Sequence, residues 1–290
     1  MLGGFHAMIF SHPDVLGYHS QGHPESPERV SKTRQRLEAA GHKIAVPRYQ
    51  AVEADALLAH DKTHVDAVKN GEYLDADTPY YPGIAAIAFT SLSGAVDAAF
   101  AAMAEDPSFS LMRPPGHHAG RNHVAGFCYF NNVAVACEKL LQDKKVSRVA
   151  ILDVDVHHGD GTEDIFSGRS GVLYASLHQV PLYPGTGLVS HDNCLNFPLP
   201  EGTEEGFYLE ALEKAIEHIL DFKPGILAVS AGFDTYKECP IAGLRLEKKS
   251  YRRIGAMIAQ TRLKRFAVLE GGYAADLPIL VDNFLDGFFA

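Results

Sequence analysis

A chain of 290 residues with 46% hydrophobic and 21% charged side chains can bury a substantial core, and nothing in its composition points to disorder. Its formal net charge of −10, without any Lys/Arg run to neutralise phosphates, excludes direct nucleic-acid binding and favours cationic partners such as lysine-rich peptides or polyamines. Four cysteines (Cys128, Cys137, Cys194 and Cys239) form no Cys-x-x-Cys pair, which excludes a disulfide scaffold or zinc finger and points to a reducing cytoplasm.

In chain order, residues 1–10 lack the cationic start and long apolar core of a secretory signal. Residues 6–11 read as an opening strand and 28–40 as a helix with one apolar and one charged face. The weakly polar stretch 83–104 is rich in Ala, Gly and Ser and contains Asp97, so it reads as a packed helix and not a membrane span. A strand at 108–112 and a helix at 131–142 follow, then a β-rich run at 148–156 and another at 171–177. A long helix is expected over 204–220 with Thr203 as its N-cap, a buried strand at 225–230 and a helix at 249–262. A strand at 266–269 and an apolar helix after Leu277 close the chain. No linker or repeat divides the sequence, so residues 1–290 are expected to form one α/β domain, a parallel sheet flanked by helices.

The unusual residues fall after strands. Arg113-Pro-Pro-Gly-His117-His118 follows the 108–112 strand, and Asp153-Val-Asp155-Val-His157-His158-Gly-Asp160 ends the run begun at 148. Ala231-Gly-Phe-Asp234 follows the 225–230 strand, and Glu270-Gly271-Gly272-Tyr273 follows the last one. In an open parallel sheet, ligands bind at the carboxyl ends of the strands, so four chain-distant clusters should meet in one crevice.

Asp155 and His157 are two apart on a presumed strand, which points both side chains to one face, and Asp234 can add a third ligand from a neighbouring strand. Two carboxylates and one imidazole leave a position open for water, as a catalytic zinc site requires, and iron(II) or cobalt fit the same donors. His117 and His118 follow a backbone stiffened by two prolines, with Asp153 and Asp160 as spare carboxylates. A carboxylate on Nδ1 fixes a histidine's tautomer and raises its basicity, which suits a general base. Tyr273, on a turn without side chains, can donate its hydroxyl to an oxyanion. Gly126-Phe127-Cys128 and Leu182-Tyr183-Pro184-Gly185 supply Phe127 and Tyr183 as two walls of a narrow slot for an aliphatic stem.

Together with Pro184-Gly-Thr-Gly and the segment 22–29, these motifs resemble those of the histone deacetylase superfamily, which includes bacterial acetylpolyamine amidohydrolases and acetoin-utilisation-type proteins. The resemblance runs from Gly22 to the closing helix, and Glu270-Gly-Gly-Tyr is closer to the class II branch than to class I. It implies an arginase–deacetylase fold with Asp155, His157 and Asp234 on zinc, His117 paired with Asp153, His118 paired with Asp160, and Tyr273 polarising the carbonyl. It further implies Arg29 at the inner end of the pocket. A monovalent-cation site, usually potassium, is implied at Asp153, Asp155, His157, Ser176 and Leu177. Gly126, Gly272 and a rim aspartate, Asp77, are implied as substrate contacts.

Glu238-Cys239-Pro240 stands where the family has Asp-Pro, and Tyr183 stands where phenylalanine is common. Ile241 occupies a rim position that is acidic in polyamine-selective relatives, and the chain is short for their entrance loop. Both features favour an acylated lysine in a peptide or protein over an acylated polyamine. A two-manganese arginase-like ureohydrolase needs more ligands, but Gly159 follows where Asp-x-His-x-Asp would continue, and Thr235 and Tyr236 follow Asp234. A catalytically silent acyl-lysine-binding module should have lost a ligand, a histidine or Tyr273, and all are present.

Overall fold

The computed structural model describes residues 7–104 and 107–290. In chain order the elements are β1 (Met8–Phe10), α1 (Glu28–Ala39), β2 (Ile44–Ala45), α2 (Glu53–Ala56), α3 (Lys62–Asn70), α4 (Ile84–Met103), β3 (Ser108–Ser110) and α5 (Asn132–Gln142). They continue with β4 (Val149–Asp153), α6 (Asp160–Phe166), β5 (Val172–Val180), β6 (Cys194–Pro200), α7 (Glu205–Phe222), β7 (Ile226–Ala231), α8 (Lys248–Gln260), β8 (Arg265–Leu269) and α9 (Leu277–Phe288). The strands form one sheet in the order β2-β1-β3-β8-β7-β4-β5-β6, and every pairing is parallel.

A parallel sheet must be covered on both faces, and alternate residues of each strand serve the two covers. In β4, Ala150 and Leu152 join a core with α1, α7, α8 and α9, while Val149 and Ile151 join a second core with α3, α4 and α5. Helix α4 is long and apolar enough to span a membrane, yet 56% of its most apolar window is buried in the protein. Its small residues permit this. A side chain added at Gly94 would meet Met112 at 2.6 Å.

Register decides where the chemistry sits. Asp153 lies beside Ser176 on one flank and Ser230 on the other, Ser230 lies beside Val268, and Val268 beside Ser110. Strands β3, β8, β7 and β4 are therefore adjacent and end level, so the four clusters that follow them share one crevice, as expected.

Several expectations need correction. Asp155 and His157 are not on a strand: β4 stops at Asp153, because the Asp153 carboxylate accepts from the Asp155 N–H and the Asp155 carboxylate from the His157 N–H. These side-chain bonds replace the ladder and curl the segment into a bend. Thr203 is not the N-cap of α7; Glu204 takes that place without a side-chain cap bond, and the Thr203 hydroxyl donates to the Pro200 carbonyl instead. Strand β5 runs on to Val180, three residues past the expected end. The opening strand begins at Met8, and His6 lies outside the described residues, as do most of 1–10. Elements β2, β6, α2, α3 and α6 lie outside the segments expected from the sequence.

Strand β6 forms an edge of the sheet. Its odd-numbered residues face β5, as the bond from the Tyr174 N–H to the Asn193 carbonyl fixes the parity. Outward positions are occupied by Cys194, bonded to His191, by Asn196, bonded to Ser190, and by Pro198 and Pro200, which have no N–H.

Candidate active site

A cavity of about 380 Å³ opens at the carboxyl edge of the central strands. His117, His118, His157, Gly271 and Tyr273 line its depth, and Asp77, Gly126, Phe127, Tyr183 and Ile241 line its walls and mouth. No Lys or Arg is among its lining residues.

His157, at the floor, groups with Asp155 and Asp234, all buried, each offering one ligand atom within 4.8 Å of the others. The His157 Nδ1 lies 3.0 Å from Asp155 Oδ1 and 3.3 Å from Asp234 Oδ2. Four-coordinate zinc, with bonds of about 2.0–2.2 Å to nitrogen and oxygen, needs ligand atoms about this far apart. Backbone N–H groups hold the remaining carboxylate oxygens: Gly271 donates to Asp155 Oδ2 at 2.7 Å and Val156 to Asp234 Oδ1 at 2.9 Å. Asp234 Oδ2 is buried without a hydrogen-bond partner, an arrangement costly for a carboxylate unless a cation faces it. Burial and the neighbouring Asp155 push the Asp234 carboxyl up. Glycine is required around this floor. A side chain at Gly271 would come within 2.0 Å of Asp234 Oδ2, and one at Gly232 within 2.3 Å of Asp155 Oδ2. The donor set fits a divalent ion.

Beside it the two histidines differ. His117 Nδ1 lies 3.0 Å from Asp153 Oδ2, and His118 Nδ1 lies 2.6 Å from Asp160 Oδ1, with ring centroids 4.0 Å apart. Burial opposes charge on His117, but the carboxylates of Asp153 and Asp155 prevail and hold it well above the ordinary histidine value. Burial and the neighbouring His117 hold His118 down at about 4, despite Asp160. A proton entering this pair goes to His117, and His118 stays neutral and able to accept one.

Tyr273 stands at the opposite wall, its ring edge-on to Phe127 at 5.8 Å, and burial keeps its phenol protonated. The Gly272 carbonyl behind it accepts from Arg29 Nε at 2.8 Å, the Glu270 carbonyl also accepts from Arg29, and the guanidinium lies 4.8 Å from the Tyr273 ring. Arg29 and Gly272 thus do not line the main cavity. Arg29 lines a smaller one of about 220 Å³ on the far side of Tyr273. Ser176 is beside Asp153 in register, and Ser176, Leu177, Asp153, Asp155 and His157 are all buried, with the Ser176 hydroxyl 2.9 Å from His178 Nδ1.

Sequence reasoning missed several supporting residues. Glu270 accepts from the N–H groups of Gly116 (2.7 Å) and His117 (3.1 Å), tying the histidine turn to the end of β8, and burial pushes its carboxyl up to about 7. Tyr174 donates to Asp153 Oδ2 at 3.1 Å. Glu25 receives the fully buried Arg113 through two oxygens at 2.8 and 2.6 Å and also Arg29 at 3.0 Å. His23 and Pro24 line the mouth, with His23 edge-on to Phe127 at 4.7 Å. Glu25 lies in the segment 22–29 and Glu270 opens Glu270-Gly-Gly-Tyr, which is the signal the sequence carries for them; Tyr174 has the pattern of an ordinary strand tyrosine.

This geometry suits a hydrolase: three buried residues that could hold a metal ion, two buried histidines and a buried tyrosine meet at the carboxyl edge of a parallel sheet. Residues 23–282 match the family model described as "Histone deacetylase domain", and the chain belongs to that family. It is 38% identical over 284 residues to a "Probable deacetylase" of Methanothermobacter thermautotrophicus, covering 92% of this chain and 86% of the relative. It is 43% identical over 192 residues to "Acetylpolyamine amidohydrolase 2" of Pseudomonas aeruginosa, covering 62% of this chain and 55% of that one. Among solved structures, acetylpolyamine aminohydrolase from Burkholderia pseudomallei superposes with a TM-score of 0.92 at 28% identity, covering 98% of this chain and 99% of that one. The protein is accordingly a hydrolytic enzyme acting on amides, a deacylase of acetylated amines in a generally metal-dependent family.

Proposed function

We propose that the protein is a zinc-dependent deacetylase of linear N-acetylated amines, and that acetylated polyamines are its preferred class. The observation that carries the chemistry is one: three buried ligand atoms lie within 4.8 Å of one another, and one of the three residues, His157, lines a cavity together with His117, His118 and Tyr273. Asp155, His157 and Asp234 would hold a zinc ion, which would supply Lewis acidity toward an amide carbonyl and toward water. His118, neutral and fixed through Nδ1 by Asp160, takes the proton of the attacking water and returns it to the leaving nitrogen. Tyr273 donates to the carbonyl oxygen as negative charge develops on it. His117, held charged by Asp153, stabilises that charge from the side. The Phe127 and Tyr183 walls exclude water and hold the aliphatic stem. Asp153, Asp155, His157, Ser176 and Leu177 would hold a structural potassium, and iron(II) or cobalt are accepted by the same floor.

Similarity to proteins named for acetylpolyamines supports the substrate class. So does Asp77, which lines a cavity with no Lys or Arg around it and whose N–H is bonded to the Asp75 carboxylate, a pair suited to a distal ammonium group. A second reading, an Nε-acyl-lysine in a peptide, rests on Ile241, an apolar residue at the mouth. Free buried cysteines support a reducing, cytoplasmic setting. The test is kcat/KM of the zinc-loaded enzyme on acetylputrescine, acetylspermidine and acetyl-lysine peptides. Faster peptide hydrolysis reverses the order of the two readings, and no hydrolysis of any removes both.

A further inference from the structure

Between His118 and α5 the chain makes an excursion, residues 119–131, that carries the Phe127 wall. Its tip is tight: the Cys128 N–H donates to the Ala125 carbonyl at 2.9 Å, which leaves Gly126 and Phe127 at the turn, both with positive φ (53° and 69°). The tip also presses on the base, since a side chain at Gly126 would come within 2.4 Å of His118 Cδ2. What fixes this excursion lies outside the catalytic clusters.

His60, in the turn between α2 and α3, is 3% exposed and touches both ends of the excursion. Its Nδ1 is 2.8 Å from the Gly120 carbonyl, and its Nε2 is 2.9 Å from the Asn131 N–H. A carbonyl can only accept and an N–H can only donate, so these partners demand one tautomer, neutral, with the proton on Nδ1. Next to it, His64 donates through Nε2 to the Tyr129 carbonyl at 2.8 Å and stacks on His60 with centroids 4.5 Å apart. The Asp61 N–H adds a bond to the Arg121 carbonyl at 2.8 Å. At the tip, the Phe127 N–H donates to the Thr78 hydroxyl (2.8 Å) and the Tyr129 hydroxyl to the Pro79 carbonyl (2.5 Å), with His23, Tyr73 and Tyr273 against the two rings. At the ends, the Asn131 side chain donates to the Ala119 carbonyl at 3.1 Å and the Arg121 N–H to Asp164 at 2.8 Å, so His60 works beside these bonds.

We propose that His60 is a positioning residue for this enzyme: one neutral imidazole fastens both ends of the 119–131 excursion and thereby sets the Phe127 wall and the backing of His118. No other natural side chain offers a rigid donor and acceptor on opposite sides of a ring at this spacing. Asparagine reaches only the Gly120 side, glutamine only the Asn131 side, and leucine neither. The inference rests on the deacetylase reading for its consequence in catalysis, but the clasp itself is independent of it.

The experiment compares wild type with His60→Leu, His60→Asn and His60→Gln, each zinc-loaded. Amide hydrogen exchange is followed by peptide mass spectrometry, and binding is measured for acetohydroxamate and for a hydroxamate on a six-carbon stem. In His60→Leu, exchange should quicken within 119–131 while the central strands stay protected. The long-stem ligand should weaken by about tenfold or more, and acetohydroxamate, which does not use the wall, should change by less than about twofold. The single-contact variants should fall between. His60→Gln serves as the folded comparison if the leucine variant does not fold. Unchanged exchange in 119–131, or equal weakening of both hydroxamates, overturns the proposal. If wild type binds neither hydroxamate, the deacetylase reading fails, and the exchange data still decide the clasp.

Discussion

The Nδ1 of His118 lies 2.6 Å from a carboxylate oxygen of Asp160, closer than the 3.0 Å between His117 and Asp153, although His118 is the histidine held neutral. A short contact to a neutral ring orients it without keeping it charged, which suits a group that must gain and lose a proton in each turnover. His118→Ala should lower kcat by about two to four orders of magnitude with zinc retained. Asp160→Asn should lower kcat more than it alters KM. Wild-type kcat in either variant would remove the pair from the proton path.

Tyr273 makes no bond to the ligands and touches Arg29 and Phe127 through its ring. Removal of its hydroxyl should leave the floor intact. Tyr273→Phe is expected to bind zinc normally and to lose about two to three orders of magnitude in kcat. Metal analysis beside steady-state kinetics checks this, and near-full activity would exclude the phenol as donor.

Asp234 Oδ2, buried without a hydrogen bond and facing His157 Nδ1 at 3.3 Å, implies that the folded protein gains from a bound cation. Chelation should lower the melting temperature, and zinc should restore it in proportion to the logarithm of its concentration. Asp234→Ala should no longer hold zinc, and its melting temperature should not respond to the metal. A zinc content equal to wild type would place the ion elsewhere.

Acid should destabilise the fold through buried histidines. Burial, with the neighbouring His64, lowers His60 to about 3, and burial lowers His64 to about 4. A histidine depressed in the folded state binds protons more weakly there than when unfolded, so stability is full above about pH 6.5 and declines as pH falls toward the folded values. At pH 5 each such group costs about 2 kcal/mol. Denaturant melts between pH 7.5 and 5 check the sign, and a His60→Leu chain should show a shallower decline.

Glu25 is shared by two arginines and is 1% exposed. Although burial works against it, the bond to Arg113 keeps its carboxyl below the usual range. Loss of this one anion leaves Arg113 buried and uncompensated. Glu25→Leu is expected to cost about 3–5 kcal/mol, measured by urea denaturation. A loss under about 1 kcal/mol would mean that the cations find other partners.

Local chemistry made the site readable in the sequence. Asp155, His157, Asp234, His117, His118 and Tyr273 are unusual residues after apolar runs, and a parallel sheet sends all such positions to one edge. What escaped depends on contacts that no spacing reports. The alternation of Asp155 and His157 suggests a strand, whereas bonds from their N–H groups to the carboxylates of Asp153 and Asp155 end it. Thr203 has the composition of a cap but spends its hydroxyl on Pro200. His60 acts through partners 60 and 71 residues away and Tyr174 through partners 15 and 21 residues away, and β6 carries two prolines that argue against a strand until its edge position is known.

That edge has a consequence for the crowded cell. Lateral growth of a sheet requires a donor and acceptor at every second residue, and β6 offers Pro198 and Pro200 where donors would stand, while the far edge, β2, is two residues long. Neither flank can template another copy into a cross-strand ladder. Self-association of this enzyme must therefore run through side-chain surfaces, and the folded form is protected from fibrillar stacking even though its sheet is eight strands wide.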